Sequence, residues 1–349
     1  MKTEIFKIEK LDSEALSLIK KAAETIKSGG LVVFPTETVY GLGGDATNEE
    51  SSRKIYAAKG RPSDNPLIIH VNTPEMTESY AYTCPLFYKL ANRFMPGPLT
   101  VVLKSRETVP KATRGGLDTV AVRCPESLIA RELIKAAGVP IAAPSANLSG
   151  SPSPTKAIHA IDDMEGRVDV IIDGGDSEFG LESTIVKIDG ESELTLLRPG
   201  KITPDDLLSV AKTVNIADAV TDKLREGEIA LSPGMKYKHY APKAPVILLD
   251  GAFDSMLEYM KEYCDEKIAV IAYDKDFTIF EENLPNAHVY NFGSSENPEE
   301  QAHLLFSILR DTDKHSFTKV FAPLPKREGV SLALYNRMIR ASAHKIIRL

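Results

Sequence analysis

The densest set of side chains able to bind an anion lies between residues 30 and 71 of this 349-residue chain. An apolar run leads into the segment PTETVYGLGGDA, and a basic loop, KGRPSDNP, precedes a second apolar run. Guanidinium groups bind phosphate bidentately, and lysine adds a mobile point charge. The pattern predicts a phosphate pocket at neighbouring strand ends, built from Thr36, Thr38, Lys59, Arg61, Asn65 and His70.

The glycine-rich segment is a weak signal by itself. It has neither the GxxxxGK[ST] spacing of a P-loop nor the spacing of a dinucleotide-binding loop. Gly41, Gly43 and Gly44 permit close backbone approach or positive φ, so they could cradle a phosphate. An ordinary turn explains them equally well.

The basic loop is a stronger signal because two prolines hold it extended. Pro62 and Pro66 restrict the backbone around Arg61 and Asn65, although a solvated loop is the simpler alternative. His70 lies within the apolar run LIIHV. Alternation along a strand would point it away from its neighbours and toward a cleft, whereas most lone strand histidines are structural.

Further strand ends carry polar groups. The segment PIAAPSANLSGSPSPT, residues 140–155, is not a GxSxG nucleophile elbow, so Ser145, Asn147 and Ser153 are interpreted as binding residues. Arg123, Ser183 in GLEST and Arg198 in LLRPG complete the set of candidates. Several such positions in one domain favour a site over isolated ion pairs.

Composition narrows the class of protein. Hydrophobic residues make up 43% and charged residues 26%, as in a globular protein, and a net charge of −7 argues against general nucleic-acid binding. No apolar run spans a membrane and no signal peptide is apparent, so a cytoplasmic location is expected. Cys84, Cys124 and Cys264 form no CxxC pair, and Cys124 is interpreted as a small core hydrophobe.

Alternating apolar runs and amphipathic segments predict the elements that position these residues. Strands are predicted at 31–34, 67–71, 99–103, 119–123, 140–143, 168–172 and 184–188, and helices at 13–27, 49–58, 85–94, 127–137, 155–163 and 204–212. A second α/β unit is predicted from strands at 246–249, 268–273, 288–292 and 320–323, with helices at 253–263, 298–310 and 330–344. The predicted domains are therefore 1–212 and 245–349, joined by a linker over 213–244. Its prolines and tyrosines favour a segment that makes contacts over a plain tether.

Six ordered motifs give the chain a resemblance to the YrdC/Sua5 family. They are PTETVYGLG, KGRPSDNPL, MPGPLT, APSANLSG, GLESTIV and LLRPG, and the linker PGMKYKHYAP makes the chain similar to the longer Sua5 type. The resemblance implies an α/β fold: a YrdC-like twisted-sheet domain with a basic concave cleft, followed by a smaller Rossmann-like domain. It implies an L-threonylcarbamoyladenylate synthase, a nucleotidyltransferase that converts L-threonine, bicarbonate and ATP to threonylcarbamoyl-AMP and pyrophosphate. The product would feed the t6A modification of tRNA adenosine 37, which a downstream enzyme completes after transient contact with this protein.

The resemblance also implies roles for residues. The ATP-binding positions would be Lys59, Arg61, Asn65, Thr119, Ser145, Asn147, Ser153, Arg198 and Tyr240. The L-threonine positions would be Thr36, Thr38, His70, Arg123, Ala143 and Ser183, with the choice between the first two left open. Lys59 and Arg61, with Mg²⁺ brought by ATP, would stabilise the anionic transition state. A linker lid with Lys236, Lys238, His239 and Tyr240 would exclude water, and neither a general base nor a protein metal ligand is identified.

Two other classes of function compete with this interpretation. A basic concavity could hold an RNA helix, but the net charge of −7 and the lack of Lys/Arg runs argue against an RNA-binding module. A carbamoyl-transfer protein with a YrdC-like domain would also carry zinc fingers, and this chain has no CxxC pairs.

Overall fold

The computed structural model describes residues 2–222 and 239–349. Contacts divide the chain into two units. The first contains the described residues up to 222 except Gly150–Pro152, which group with residues 239–349 in the second.

Eleven strands among residues 2–222 form one mixed sheet in the order β1-β8-β2-β3-β7-β4-β6-β5-β9-β10-β11. Their bounds are β1 Glu4–Lys7, β2 Val32–Phe34, β3 Gly41–Asp45, β4 Ile68–His70, β5 Leu99–Lys104, β6 Thr119–Arg123, β7 Ile141–Ala142, β8 Val170–Asp173, β9 Thr184–Ile188, β10 Glu193–Arg198 and β11 Thr213–Ile216. The helices of this part are α1 Ser13–Lys27, α2 Glu49–Lys59, α3 Pro85–Phe94, α4 Leu128–Ala137, α5 Ala157–Met164 and α6 Pro204–Leu208, with 3-10 turns at Pro74–Ser79 and Asp218–Val220.

Helix α1 shows how the sequence builds the core of this unit. Asp12 caps it by accepting a hydrogen bond from the Ala15 backbone N–H, and the apolar positions recur at helical spacing. Ile19 and Ile26 are buried among residues of α4 and the sheet. This packing fixes the strands that carry the polar residues discussed below.

The register of β4, β6 and β7 sets the geometry of the candidate site. His70 lies beside Arg123 in the parallel pair β4–β6 and beside Ile141 in the antiparallel pair β4–β7. Counting back along both neighbours brings Thr119 and Ser145 level with Pro66. Alternate strand residues share a face, so His70, Arg123, Thr119 and Ser145 lie along a strip about 13 Å long on one face of the sheet.

The second unit is a parallel five-stranded sheet in the order β14-β13-β15-β12-β16. Its strands are β12 Val246–Asp250, β13 Ile268–Ala272, β14 His288–Asn291, β15 Lys319–Pro323 and β16 Ile346–Arg348. Its helices are α7 Phe253–Lys261, α8 Asp274–Asn283, α9 Pro298–Thr312 and α10 Ser331–Ala341. The α/β class and Rossmann-like character predicted for this part are confirmed.

The glycine-rich segment is not the turn or phosphate cradle that its composition allowed. Gly41 to Asp45 form β3, hydrogen-bonded to β2 and β7. A Cβ on Gly43 would lie 2.6 Å from Ile141 and 2.7 Å from Phe34. Glycine is therefore required there for close packing of neighbouring side chains, and a strand stands where the composition had allowed either a turn or a phosphate cradle.

The predicted linker also begins too early. Residues 213–216 form β11, which pairs with β10, and residues 218–220 form a 3-10 turn. Thr213 and Asn215 are polar and the strand is largely exposed, so the apolar signal of a strand is missing from its sequence. Residues 223–238 of the predicted linker, including Lys236 and Lys238, lie outside the described residues.

Candidate active site

The polar residues collect at two ends of the strip that β4, β6 and β7 define. The Lys59 end comprises Lys59, Arg61, Asn65, Ser145 and Asn147. The Arg123 end comprises Glu37, His70, Thr100, Arg123, Ser183 and Arg198. Each end contains residues from distant parts of the chain.

Lys59 closes α2 and is buried, with 3% of its surface exposed. Its ammonium donates hydrogen bonds to the backbone carbonyls of Ser145 and Asn147, the latter at 2.5 Å. The backbone carbonyl of Lys59 in turn accepts the Ser149 N–H at 2.9 Å. The lysine therefore fastens the loop after β7 to the end of α2 and brings a buried positive charge to this edge.

Arg61 and Asn65 occupy the extended loop that follows α2. The Arg61 guanidinium donates to the carbonyls of Asn65 and Pro66 at 3.2–3.4 Å, which orients it along the loop. The Asn65 side chain is 2% exposed, yet neither its Nδ2 nor its Oδ1 has a hydrogen-bond partner among the described residues. A buried amide of this kind costs free energy, so its presence points to a ligand that pairs with it.

The loop after β7 contributes Ser145 and Asn147. Ser145 Oγ donates to Asn147 Oδ1 at 2.5 Å, and Asn147 Nδ2 donates to the Leu148 carbonyl at 2.7 Å. Unlike Asn65, Asn147 has both atoms of its side-chain amide engaged. Thr119 is level with this end through the register of β4 and β6, and Ala143, whose N–H donates to Ile68, lies between the two ends.

Arg123 forms a buried ion pair with Glu37 at the opposite end. The side chains are 5% and 7% exposed, and Arg123 Nη2 lies 2.5 Å from Glu37 Oε1. Glu37 Oε2 accepts the backbone N–H groups of Glu126 and Ser127, just before α4. The carboxylate is thus held from two sides, and it fixes the guanidinium at the carboxyl end of β6.

His70 lies beside Arg123 and is almost completely buried. Its Nδ1 lies 3.3 Å from the Ile141 carbonyl oxygen, and its ring makes an edge contact with Phe34. Burial, together with the Arg123 guanidinium, lowers the pKa of His70 to about 3. The imidazole is therefore neutral at physiological pH and can act through hydrogen bonds but not through charge.

Thr36 and Thr38 lie next to Glu37 in the turn after β2. Their hydroxyl oxygens are 2.9 Å apart, and Thr36 Oγ1 donates to the Val39 carbonyl at 2.6 Å. Thr36 Oγ1 also accepts the backbone N–H of Thr38 and Val39. Thr36 therefore has a structural task in shaping the turn, and among the described residues of this turn the Thr38 hydroxyl pairs only with the Thr36 hydroxyl.

A chain of hydroxyls links β5, β9 and β10 at the Arg123 end. Thr100, which lies beside Arg123 in the register, has its hydroxyl 2.7 Å from that of Ser183. Arg198 donates to the Ser183 carbonyl at 2.9 Å and to its hydroxyl at 3.1 Å. The structure therefore places Arg198, predicted to contact ATP, in direct contact with a residue predicted to contact threonine.

Two predicted ATP contacts are not members of these sets. Ser153 is fully buried and its hydroxyl donates to Glu182 Oε1. Tyr240 belongs to the second unit, where its backbone has φ 64° and its ring stacks 5.2 Å from Phe306. Both assignments stay predictions.

Three residues that contact the predicted ones were not predicted from the sequence. Glu37 and Glu182 hold Arg123 and Ser153, and Thr100 connects Arg123 to Ser183 in the register. Glu37 carried one signal, since a carboxylate stands between two threonines directly after a buried strand. Cys124 was predicted to be a core residue, and it is fully buried with its thiol pKa raised by burial to about 11.

Within residues 2–222 and 239–349, no group of three or more His, Cys, Asp or Glu side chains could hold a metal ion. Among the same residues, no helix is both long and apolar enough to cross a membrane. Cations predominate at the two ends. The two ends contain the cations Lys59, Arg61, Arg123 and Arg198 and the carboxylate Glu37, and Asp163 accepts the Leu148 N–H next to the Lys59 end.

Comparison with known families matches both units. The Sua5/YciO/YrdC family model, described as telomere recombination, matches residues 24–200. A model described as the C-terminal domain of threonylcarbamoyl-AMP synthase matches residues 202–343.

Relatives resemble the chain over nearly its full length. A threonylcarbamoyl-AMP synthase of Pyrococcus abyssi is 42% identical over 95% of each chain, and that of Bacillus subtilis is 38% identical over 95% of this chain and 94% of its own. The crystal structure of P. abyssi Sua5 complexed with L-threonine superposes with a TM-score of 0.89 at 41% identity, covering 99% of this chain and all of that one.

Proposed function

The chain belongs to the Sua5/YciO/YrdC family, and we propose that it is a threonylcarbamoyl-AMP synthase acting on L-threonine, bicarbonate and ATP. One structural observation carries the proposal. An end rich in cations and amides and an end with a buried arginine, a neutral histidine and hydroxyls lie on one strip of the same sheet. A nucleotide at the first end and an amino acid at the second would meet above β4 and β6.

At the Arg123 end, the guanidinium would bind the threonine carboxylate. Glu37 and the Gly97 carbonyl already occupy Nη2 and Nε, so the substrate would meet the remaining N–H groups of a guanidinium held in place. Neutral His70 and the hydroxyls of Thr38 and Ser183 would bind the amine and the side-chain hydroxyl. This arrangement positions the substrate more than it activates it.

The chemistry requires two steps. The threonine amine adds to bicarbonate with loss of water to give a carbamate, and a carbamate oxygen then attacks the α-phosphorus of ATP as pyrophosphate leaves. Lys59 and Arg61 would stabilise the negative charge that develops on the phosphoryl oxygens, and the Asn65 amide would pair with the nucleotide.

Mg²⁺ belongs to the proposal as the companion of ATP. Magnesium in nucleotide sites is coordinated by substrate phosphates, water and one or two carboxylates. The cationic and amide groups at the Lys59 end suit a triphosphate that brings its own metal, and the ion would neutralise phosphate charge.

The product joins a carbamate to a phosphate through a labile anhydride. We expect it to pass quickly to a cytoplasmic transfer enzyme that modifies tRNA, by transient contact. The relatives' name extends only to the synthase step.

The direct test is pyrophosphate release from ATP and Mg²⁺, with threonine and bicarbonate added singly and together. Release should need both substrates, and Arg61→Ala should abolish it. Arg53→Ala is the matched control, since Arg53 lies on α2 with its side chain 66% exposed and paired with Glu49. Release without threonine, or equal loss in both variants, would reject the proposal.

A further inference from the structure

The second unit contains a cavity of about 330 Å³ at the carboxyl edge of its sheet. Its walls include the last residues of β12, β13 and β15, among them Leu249, Ala272 and Pro323. A volume near 300 Å³ lies at the lower end of the range for small-molecule sites. None of the candidate residues of the first unit takes part in it.

The cavity lies where the chain reverses its winding direction. From β13 the chain passes through α8 to β14 at one side, and from β15 it passes through α10 to β16 at the other. Since β13 and β15 are neighbours, the two connections diverge and leave a crevice beyond the strand ends. In open parallel sheets, ligands bind at such topological switch points.

The side chains around the cavity divide into an apolar floor and a charged rim. Phe253, Met256 and Phe280 belong to the floor, and Lys275 and Lys326 to the rim. Helices α7, α8 and α10 begin beside it, and none of their N-caps makes a side-chain hydrogen bond. An anionic group at the rim would meet two ammonium groups and the positive ends of helix dipoles.

Carboxylates also line the cavity, which excludes a purely anionic ligand as the best match. Asp250 ends β12, Asp276 lies in the first turn of α8, and Glu296 also lines the cavity. Acidic side chains at strand ends of such sheets accept hydrogen bonds from sugar hydroxyls. The lining therefore offers surfaces for a flat apolar ring, for hydroxyls and for an anion.

The glycine after β12 does not mark a pyrophosphate-binding loop. A Cβ on Gly251 would lie 2.9 Å from the Leu349 side chain and 3.0 Å from its backbone oxygen, so packing against the chain end accounts for this glycine. The loop DGAF lacks the glycine spacing that brings a backbone close to a pyrophosphate. One phosphate group fits this rim better than two.

We propose that the second unit binds a nucleoside monophosphate, with its base on the apolar floor, its ribose at Asp250 or Asp276 and its phosphate near Lys275. This site is separate from the ATP-binding role proposed for the first unit and does not rest on it.

The absence of tryptophan from the chain makes the test simple. Phe253→Trp places the only indole against the cavity floor in the full-length protein. Titration with AMP should give a saturable change in its fluorescence, whereas adenosine and inorganic phosphate alone should each bind at least tenfold more weakly. In this background Lys275→Glu should weaken AMP binding about tenfold, which corresponds to 1.4 kcal/mol.

Lys345→Glu is the matched control, because Lys345 is exposed in the same unit and does not line the cavity. Arg61→Ala in the reporter background separates the two nucleotide proposals, since it should leave the fluorescence change intact. The proposal is overturned if AMP gives no saturable change, if Lys345→Glu weakens it as much as Lys275→Glu, or if Arg61→Ala removes it.

Discussion

Replacing Asn65 by leucine should stabilise the ligand-free protein while weakening its binding of ATP. The Asn65 side chain is 2% exposed, and both its amide nitrogen and its oxygen lack partners among the described residues. Leucine has the same number and branching of side-chain heavy atoms and no polar atoms. The substitution should therefore remove a desolvation penalty without opening a cavity.

The expected magnitude follows from the cost of burying an unpaired polar group. Leaving one buried donor or acceptor unsatisfied costs about 1–3 kcal/mol, so Asn65→Leu should raise the free energy of unfolding by about that amount. In the proposed complex the amide pairs with a charged nucleotide, and losing such a bond costs about 1.5–3 kcal/mol. The dissociation constant for ATP should accordingly rise about 10- to 100-fold.

Asn147→Leu is the matched control, because Asn147 is also buried but has its amide engaged. Removal of its bonds to Ser145 and Leu148 should lower the free energy of unfolding by about 1–3 kcal/mol. The two variants should thus change stability in opposite directions. Urea unfolding without nucleotide gives the free energies, and equilibrium dialysis with labelled ATP gives the affinities.

Two results would refute this reasoning. Destabilisation of Asn65→Leu by as much as Asn147→Leu would show that the Asn65 amide is satisfied in the free protein. Stabilisation with unchanged ATP affinity would show that the amide is unpaired but does not face the nucleotide.

Three further predictions concern the Arg123 end and the close-packed strands. Glu37→Ala leaves the Arg123 guanidinium buried without its carboxylate, so the free energy of unfolding should fall by about 3–5 kcal/mol and the KM for threonine should rise. Glu37→Gln should recover part of both losses. Equal KM values in the wild type and the two variants would contradict the positioning role of Glu37. The pKa of His70 is about 3 in the folded state and 6.5 in the unfolded state, so between those pH values only the unfolded state binds the extra proton. This residue should therefore lower the free energy of unfolding by about 1.4 kcal/mol per pH unit as the pH drops from 6.5 to 3. His70→Phe should remove that pH dependence when urea unfolding is measured across this range. Gly43→Ala should destabilise by about 1–3 kcal/mol with unchanged ATP affinity, whereas Gly190→Ala, where the nearest atom lies 3.9 Å away, should be nearly neutral by the same unfolding and dialysis measurements.

The sequence predicted the elements best where an apolar period and a clear boundary coincide. Helix 13–27 and strands 119–123 and 184–188 were predicted at their observed bounds. Strand β3 was missed because three of its five residues are glycines, which have low strand propensity and are typical of turns. Strand β10 and helix α8 were not predicted for another reason: polar residues interrupt the period of both, and pairing or packing with neighbours overrides it.

The site was predicted in its residue types but not in its pairings, because those arise from strand register. His70 and Arg123 are 53 positions apart, and only the pairing of β4 with β6 makes them neighbours. Motif spacing within one loop carries no information on that pairing. The same holds for Glu37, whose partner lies 86 residues away.

The residues that mark the site share one physical property, which is a local cost in the folded chain. Asn65 buries an unpaired amide, Arg123 and Glu37 bury opposite charges, and the pKa of His70 is lowered so far that its ring stays neutral. Each would be easier to replace by an apolar residue if stability alone mattered, since a buried ion pair is often no better than a hydrophobic contact. In the proposed function, a ligand with a carboxylate, hydroxyls and phosphates would offset these costs on binding, and that reciprocity would explain why the costly groups collect at the two ends of one strip.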